Sequence, residues 1–79
     1  MPVPTHRVAF GARVREVRVE RGWSQEDFAH RADLDRTYVS GIERGRRNPS
    51  LTMIAKLAER LKTTPAALLT PMGKNRAGD

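Results

Sequence analysis

Within twelve residues, from 36 to 47, the chain carries Arg36, Thr37, Ser40, Arg44, Arg46 and Arg47. Each arginine offers a planar fork of donors that fits guanine O6 and N7, and fits a phosphate equally well. Simple solvation is the bland alternative for any one of them. Thr37 adds a methyl suited to thymine and a hydroxyl for a base edge or a phosphate. Three arginines between Arg44 and Arg47 repel one another unless an anion lies close. The chemistry such side chains support is gripping a polyanion and reading hydrogen-bonding edges. Catalysis finds no counterpart: there is no carboxylate pair, nucleophile motif or phosphate loop, and neither His6 nor His30 has a catalytic partner. No enzyme activity is expected.

These residues need a helix that is buried on one side and open on the other. Ser24 to Gly45, SQEDFAHRADLDRTYVSGIERG, predicts two short helices joined by a tight turn. Ser24 is a natural N-cap, with Asp27 three residues on as a short-armed capping box. Trp23 and Phe28 stand at the two ends of a hydrophobic staple. The apolar spacing breaks at Ala32-Asp33-Leu34, Asp35 caps the next helix, and Gly45 terminates it. Val39 and Ile42 face inward, which leaves Arg36, Thr37, Ser40 and Arg44 on other faces. Donors at the N-terminal end of such a helix are what reading a DNA groove requires. Gln25, at the start of the preceding helix, could join backbone N–H groups in holding a phosphate, or be merely an exposed polar residue.

Around this pair the chain predicts three more helices. The first runs from about His6 to Arg21 with Phe10, Val14 and Val17 as its core stripe, Arg13, Arg15 and Glu20 on its wet face, and Gly22 as its stop. Ser50 caps a fourth helix with the stripe Leu51, Ile54, Leu57, Ala58 and Leu61. Thr64 and Pro65 open a short fifth that Pro71 ends. Residues 1–5 form an arm, 6–72 the domain, and 73–79 a tail. All-α architecture follows, because strand alternation is absent. At 79 residues the chain makes one small domain. It lacks cysteine, so neither disulfide nor thiolate metal site can staple it, and no metal or other cofactor is expected. No apolar run approaches the roughly 20 residues of a membrane span and no signal peptide opens the chain, so a cytoplasmic protein without membrane or small-molecule partners is expected. The net charge of +6, with twelve arginines against three lysines, favours a polyanionic partner.

The S-Q-x-x-F-A start of the second helix, the I-E-R-G end of the third and the N-P-S-L entry to the fourth resemble the Xre/Cro family of helix-turn-helix regulators. The resemblance spans about Phe10 to Leu69. It implies a five-helix, lambda-repressor-like DNA-binding domain. More narrowly, LDRTYVSGIERGRRNPSL is similar to the controller proteins of restriction–modification systems, which are small homodimeric regulators.

The resemblance implies roles residue by residue. Ser24 to Arg31 becomes the positioning helix and Asp35 to Arg44 the recognition helix. Arg36, Thr37, Tyr38 and Ser40 match base-reading positions; Gln25, Arg44, Arg46, Arg47 and Asn48 match residues that grip the DNA backbone. Arg18 and Glu43 match a partly buried ion pair. Gly41 stands where several phage repressors have a base-reading amide, so it is either packed closely against the second helix or approached closely by the duplex. Dimerisation is expected near the end of the chain, with Leu61, Leu68, Leu69 and Met72 as the seam unless they close the monomer core. A homodimer on double-stranded DNA would read a near-palindrome. Transcriptional activation would need a surface for RNA polymerase, for which Glu26 and Asp27 are available. The rival expectation is an antitoxin-type regulator whose main partner is a protein, against which stand the few residues after Met72.

Overall fold

Five helices follow one another in the computed structural model, which describes residues 5–70: α1 (Thr5–Glu20), α2 (Gln25–Ala32), α3 (Arg36–Glu43), α4 (Leu51–Arg60) and α5 (Pro65–Leu69). No strand occurs among the described residues, and the all-α, five-helix architecture expected from the sequence is the one observed. Thr5, expected in the arm, is instead the first residue of α1. The rest of the arm, Met72 and the tail lie outside the described residues. No described helix is long and apolar enough to cross a membrane.

Each helix from α2 onward starts on a side-chain cap. Ser24 accepts from the Asp27 N–H at 2.9 Å while Asp27 accepts from the Ser24 N–H at 3.0 Å, a complete capping box. Asp35, Ser50 and Thr64 cap α3, α4 and α5 in turn. The ends of α1 to α4 share one device. A residue with positive φ follows the helix, and the next N–H reaches back five residues: Trp23 to the Arg18 carbonyl, Leu34 to Ala29, Arg46 to Gly41 and Thr63 to Ala58. Glycine supplies the turn at Gly22 and Gly45, but Asp33 and Lys62 adopt it with φ of 57° and 60°.

The core gathers Phe10, Val14 and Val17 of α1, Phe28, Ala29 and Ala32 of α2, Val39 and Ile42 of α3, Leu57 and Ala58 of α4, then Leu61 and Leu68. Trp23 stacks on Phe28 with ring centroids 6.3 Å apart, which closes the staple. Helix α3 is wedged chiefly between α1 and α2, while α5 returns to α1 and α4. Close seating of α1 on α3 depends on Gly11, because any Cβ there would run into the Ile42 carbonyl oxygen. Leu51, expected in the α4 stripe, is 83% exposed. It is the first residue of that helix, and the stripe reaches the core only from Ile54, which is half-buried, onward.

Arginines on α1 and just past its end also bond to the rest of the fold. Arg13 donates to the Ala67 carbonyl at 3.0 Å and pairs with Glu16, so its assignment to the solvent face was too simple. Arg21 donates to the carbonyls of Leu61 and Lys62 at 2.8 and 3.0 Å, covering the C-terminal end of α4. Part of the positive charge therefore holds the fold together.

Candidate nucleic-acid interface

Helix α3 buries Val39 and Ile42 against the core and turns Arg36 and Thr37 fully outward, with Ser40 and Gly41 partly covered. Arg36, Thr37, Ser40, Gly41, Arg44, Arg46 and Arg47 line one open depression of about 470 Å³. The ion pairs found among the described residues, Arg13–Glu16 and Arg18–Glu43, include none of these four lining arginines. Four cations thus share one concave surface without a carboxylate to neutralise them. Such a surface is electrostatically unfavourable to the protein alone and favourable to a polyanion.

The N-terminus of α3 is fixed by Asp35. Its Oδ1 accepts from the Thr37 N–H at 2.9 Å and from the Thr37 hydroxyl at 2.6 Å. The Thr37 hydroxyl proton is therefore committed to the cap. A phosphate, which only accepts hydrogen bonds, would have to draw it away, so the methyl and the hydroxyl lone pairs are what Thr37 presents to a base edge. The hydroxyl and then the N–H of Thr37 hold the Asp35 carboxyl below its ordinary value of 3.8. A folded value below the unfolded one makes the cap's contribution complete above about pH 4 and lost as pH falls through the folded value. Asp35→Asn keeps an acceptor at the cap but cannot titrate. It should melt somewhat below wild type at neutral pH, where it lacks the ionised cap, and lose less stability than wild type on acidification below the ordinary carboxylate range; identical acid melting profiles for the two proteins would remove Asp35 from this role.

Behind α3, Arg18 and Glu43 form a two-pronged pair, Nε to Oε2 at 2.6 Å and Nη2 to Oε1 at 3.0 Å, with side chains 9% and 3% exposed. The remaining Arg18 Nη1 donates to the Trp23 carbonyl at 2.7 Å. Glu43 Oε1 also accepts from Gln25 Nε2 at 3.0 Å, and Gln25 Oε1 lies 3.4 Å from Arg36 Nη1. Gln25 is thus neither simply solvated nor free at its helix terminus. It links the buried pair to the exposed Arg36, a connection that sequence spacing could not show because the partners lie 18 and 11 positions away.

Other expected site residues are dispersed or redirected. Tyr38 is half-buried against the core, and the Arg47 guanidinium sits over its ring, 5.2 Å from the centroid. Gly41 does not pack closely against α2: a Cβ there would meet Arg47, 2.9 Å from Cγ and 3.0 Å from Nε. Asn48 does not join the arginine-lined depression. It borders a separate, mainly apolar hollow with His6, Arg7, Phe10, Pro49, Ile54 and Leu69. Leu61 and Leu68 are wholly enclosed in the monomer, so they close its core and leave nothing to bury in a dimer seam. Leu69, 57% exposed, is the one member of the expected seam that the described residues present outward.

Comparison with known proteins gives the same fold. The helix-turn-helix family pattern matches residues 14–68. Control protein C.BamHI of Bacillus amyloliquefaciens is 47% identical over 64 residues, covering 80% of this chain and 79% of that protein. The restriction–modification controller protein C.AhdI of Aeromonas hydrophila superposes with a TM-score of 0.74 at 52% identity, over 77% of this chain and 92% of that one. A further restriction–modification controller protein, solved as a tetramer in complex with its natural 35-base-pair operator, superposes with a TM-score of 0.75 at 31% identity, over 82% of this chain and 86% of that one.

Proposed function

The chain belongs to the helix-turn-helix family, and from that premise we propose that it is a sequence-specific, DNA-binding transcriptional regulator. It acts as a homodimer on near-palindromic operators, in the manner of a restriction–modification controller. One observation carries the reading: the outward face at the N-terminal end of α3 and the loop after it form a concave, cation-lined surface with no internal counter-charge among the described residues. In this reading Arg36, Thr37 and Ser40 meet base edges, with Tyr38 beside them, and Arg44 and Arg46 hold phosphates. Gln25 serves as a brace for Arg36 more than as a phosphate ligand. The site binds and does not turn over a substrate. Its place of action is the cytoplasm, where the DNA of a bacterial regulator lies. The controller assignment is supported by the likeness to C.BamHI and C.AhdI over most of each chain.

One α3 spans too few base pairs to single out a genomic site. A two-fold dimer sets two such helices about 34 Å apart, one turn of DNA. Leu69 lies on the side of the domain that offers apolar surface for that pairing.

Binding measured by fluorescence anisotropy at rising salt tests the proposal. Affinity for duplex DNA should fall linearly on logarithmic axes, and Arg46→Ala should weaken binding to all sequences alike while lowering the slope by about one unit. A loss confined to particular base pairs would move Arg46 into the groove. Absence of binding to any duplex in moderate salt would end the reading.

A further inference from the structure

We propose that Gly41 and Tyr38 form a seat that holds Arg47 on the DNA-facing side of α3, so that Gly41 influences DNA affinity through Arg47; this rests on the DNA-binding reading above. A glycine in the middle of an eight-residue helix is unfavourable for the helix itself, and here its bare Cα is where the Arg47 stem lies. Residues 38 and 41 are three apart and so adjacent on the helix surface. The Arg47 methylenes cross Gly41 and the guanidinium ends over the Tyr38 ring. The side chain thereby runs along α3 into the depression it shares with Arg36 and Thr37.

The chemistry of the seat matters. A carboxylate partner would occupy the guanidinium donors, and no ion pair among the described residues includes Arg47. An aromatic face attracts the cation while leaving its in-plane N–H groups available to an incoming duplex. Arginine otherwise loses extensive rotamer freedom when it binds, and holding it beforehand reduces that cost. Arg46, its exposed neighbour in the chain, lies over no aromatic ring among the described residues, which separates two arginines that look equivalent in sequence.

A double-mutant cycle tests this. Affinity for one duplex, chosen as the tightest wild-type ligand from a randomised pool, is measured for wild type, Gly41→Ala, Arg47→Ala and the double variant, each with its melting curve. Arg47→Ala should weaken binding roughly tenfold, as for one lost duplex contact. Gly41→Ala should weaken it several-fold while melting at or above the wild-type temperature, since alanine favours helix and only a flexible side chain is displaced. The double variant should bind like Arg47→Ala alone. An equal Gly41→Ala loss in the Arg47→Ala background would mean that the glycine meets the duplex directly and would overturn the seat. No loss from Gly41→Ala, or a lowered melting temperature, would overturn it as well. Failure of the wild-type protein to bind any member of the pool would instead overturn the parent reading, and this inference with it.

Discussion

Glu43→Ala is expected to cost about 3–5 kcal/mol of stability, because it leaves the Arg18 guanidinium charged and unpaired where its side chain is 9% exposed. A domain of this length holds only about 4–12 kcal/mol in total. The loss is thus at least about a quarter of the total and can exhaust it, so the variant should either be unfolded at room temperature or melt at least about 12 °C below wild type. Two anchoring facts make the loss large. Glu43 meets both Arg18 prongs, and it also takes a hydrogen bond from Gln25. Replacing both members together, as in Arg18→Met with Glu43→Leu, should recover much of the loss, since apolar side chains of similar volume leave no stranded charge. Circular-dichroism melting decides the matter; a Glu43→Ala protein that melts with wild type would show that the pair does not support the fold.

Arg36→Ala should leave the fold intact and change what the protein recognises. Arg36 is exposed, and the side-chain hydrogen bond it makes among the described residues, to Gln25, is long at 3.4 Å. A forked contact to guanine is worth about 1–3 kcal/mol of discrimination, roughly five- to 150-fold in relative affinity. The variant should accept all four base pairs at one position of each half-site and keep its preferences elsewhere. Unchanged specificity with uniformly weaker binding would make Arg36 a phosphate contact. A line of hydrogen bonds runs from the buried Arg18–Glu43 pair through Gln25 to the Arg36 guanidinium.

Much of this architecture can be read in the chain because the signals are local. Ser24, Asp35, Ser50 and Thr64 bond N–H groups only two or three residues away, and spacing alone finds such caps. The core stripes of α1 and α3 are equally plain, since Val14, Val17, Val39 and Ile42 repeat at helical spacing and all are buried. The line from Ser24 to Arg47 that frames the arginine-lined surface was legible for the same reason. What eluded the sequence depends on distant partners. Asp33 and Lys62 take left-handed turns without the usual glycine, because the backbone bonds that follow hold them there. Helical periodicity marks Leu61, Leu68 and Leu69 alike as apolar, yet the first two are enclosed and the third is open, a distinction set by how α5 lies on α1 and α4. Gly11 and Gly41 look the same as sequence. One admits a neighbouring backbone and the other an arginine stem.

Binding-site selection from a fully randomised duplex pool, using the intact chain, probes the exposed end of α3 most directly. Two related half-sites should emerge as an inverted repeat with centres about 10 base pairs apart, each containing a guanine position whose selection vanishes with Arg36→Ala. A pool that shows no enriched sequence, or an enriched motif without two-fold symmetry and indifferent to Arg36, would contradict the account.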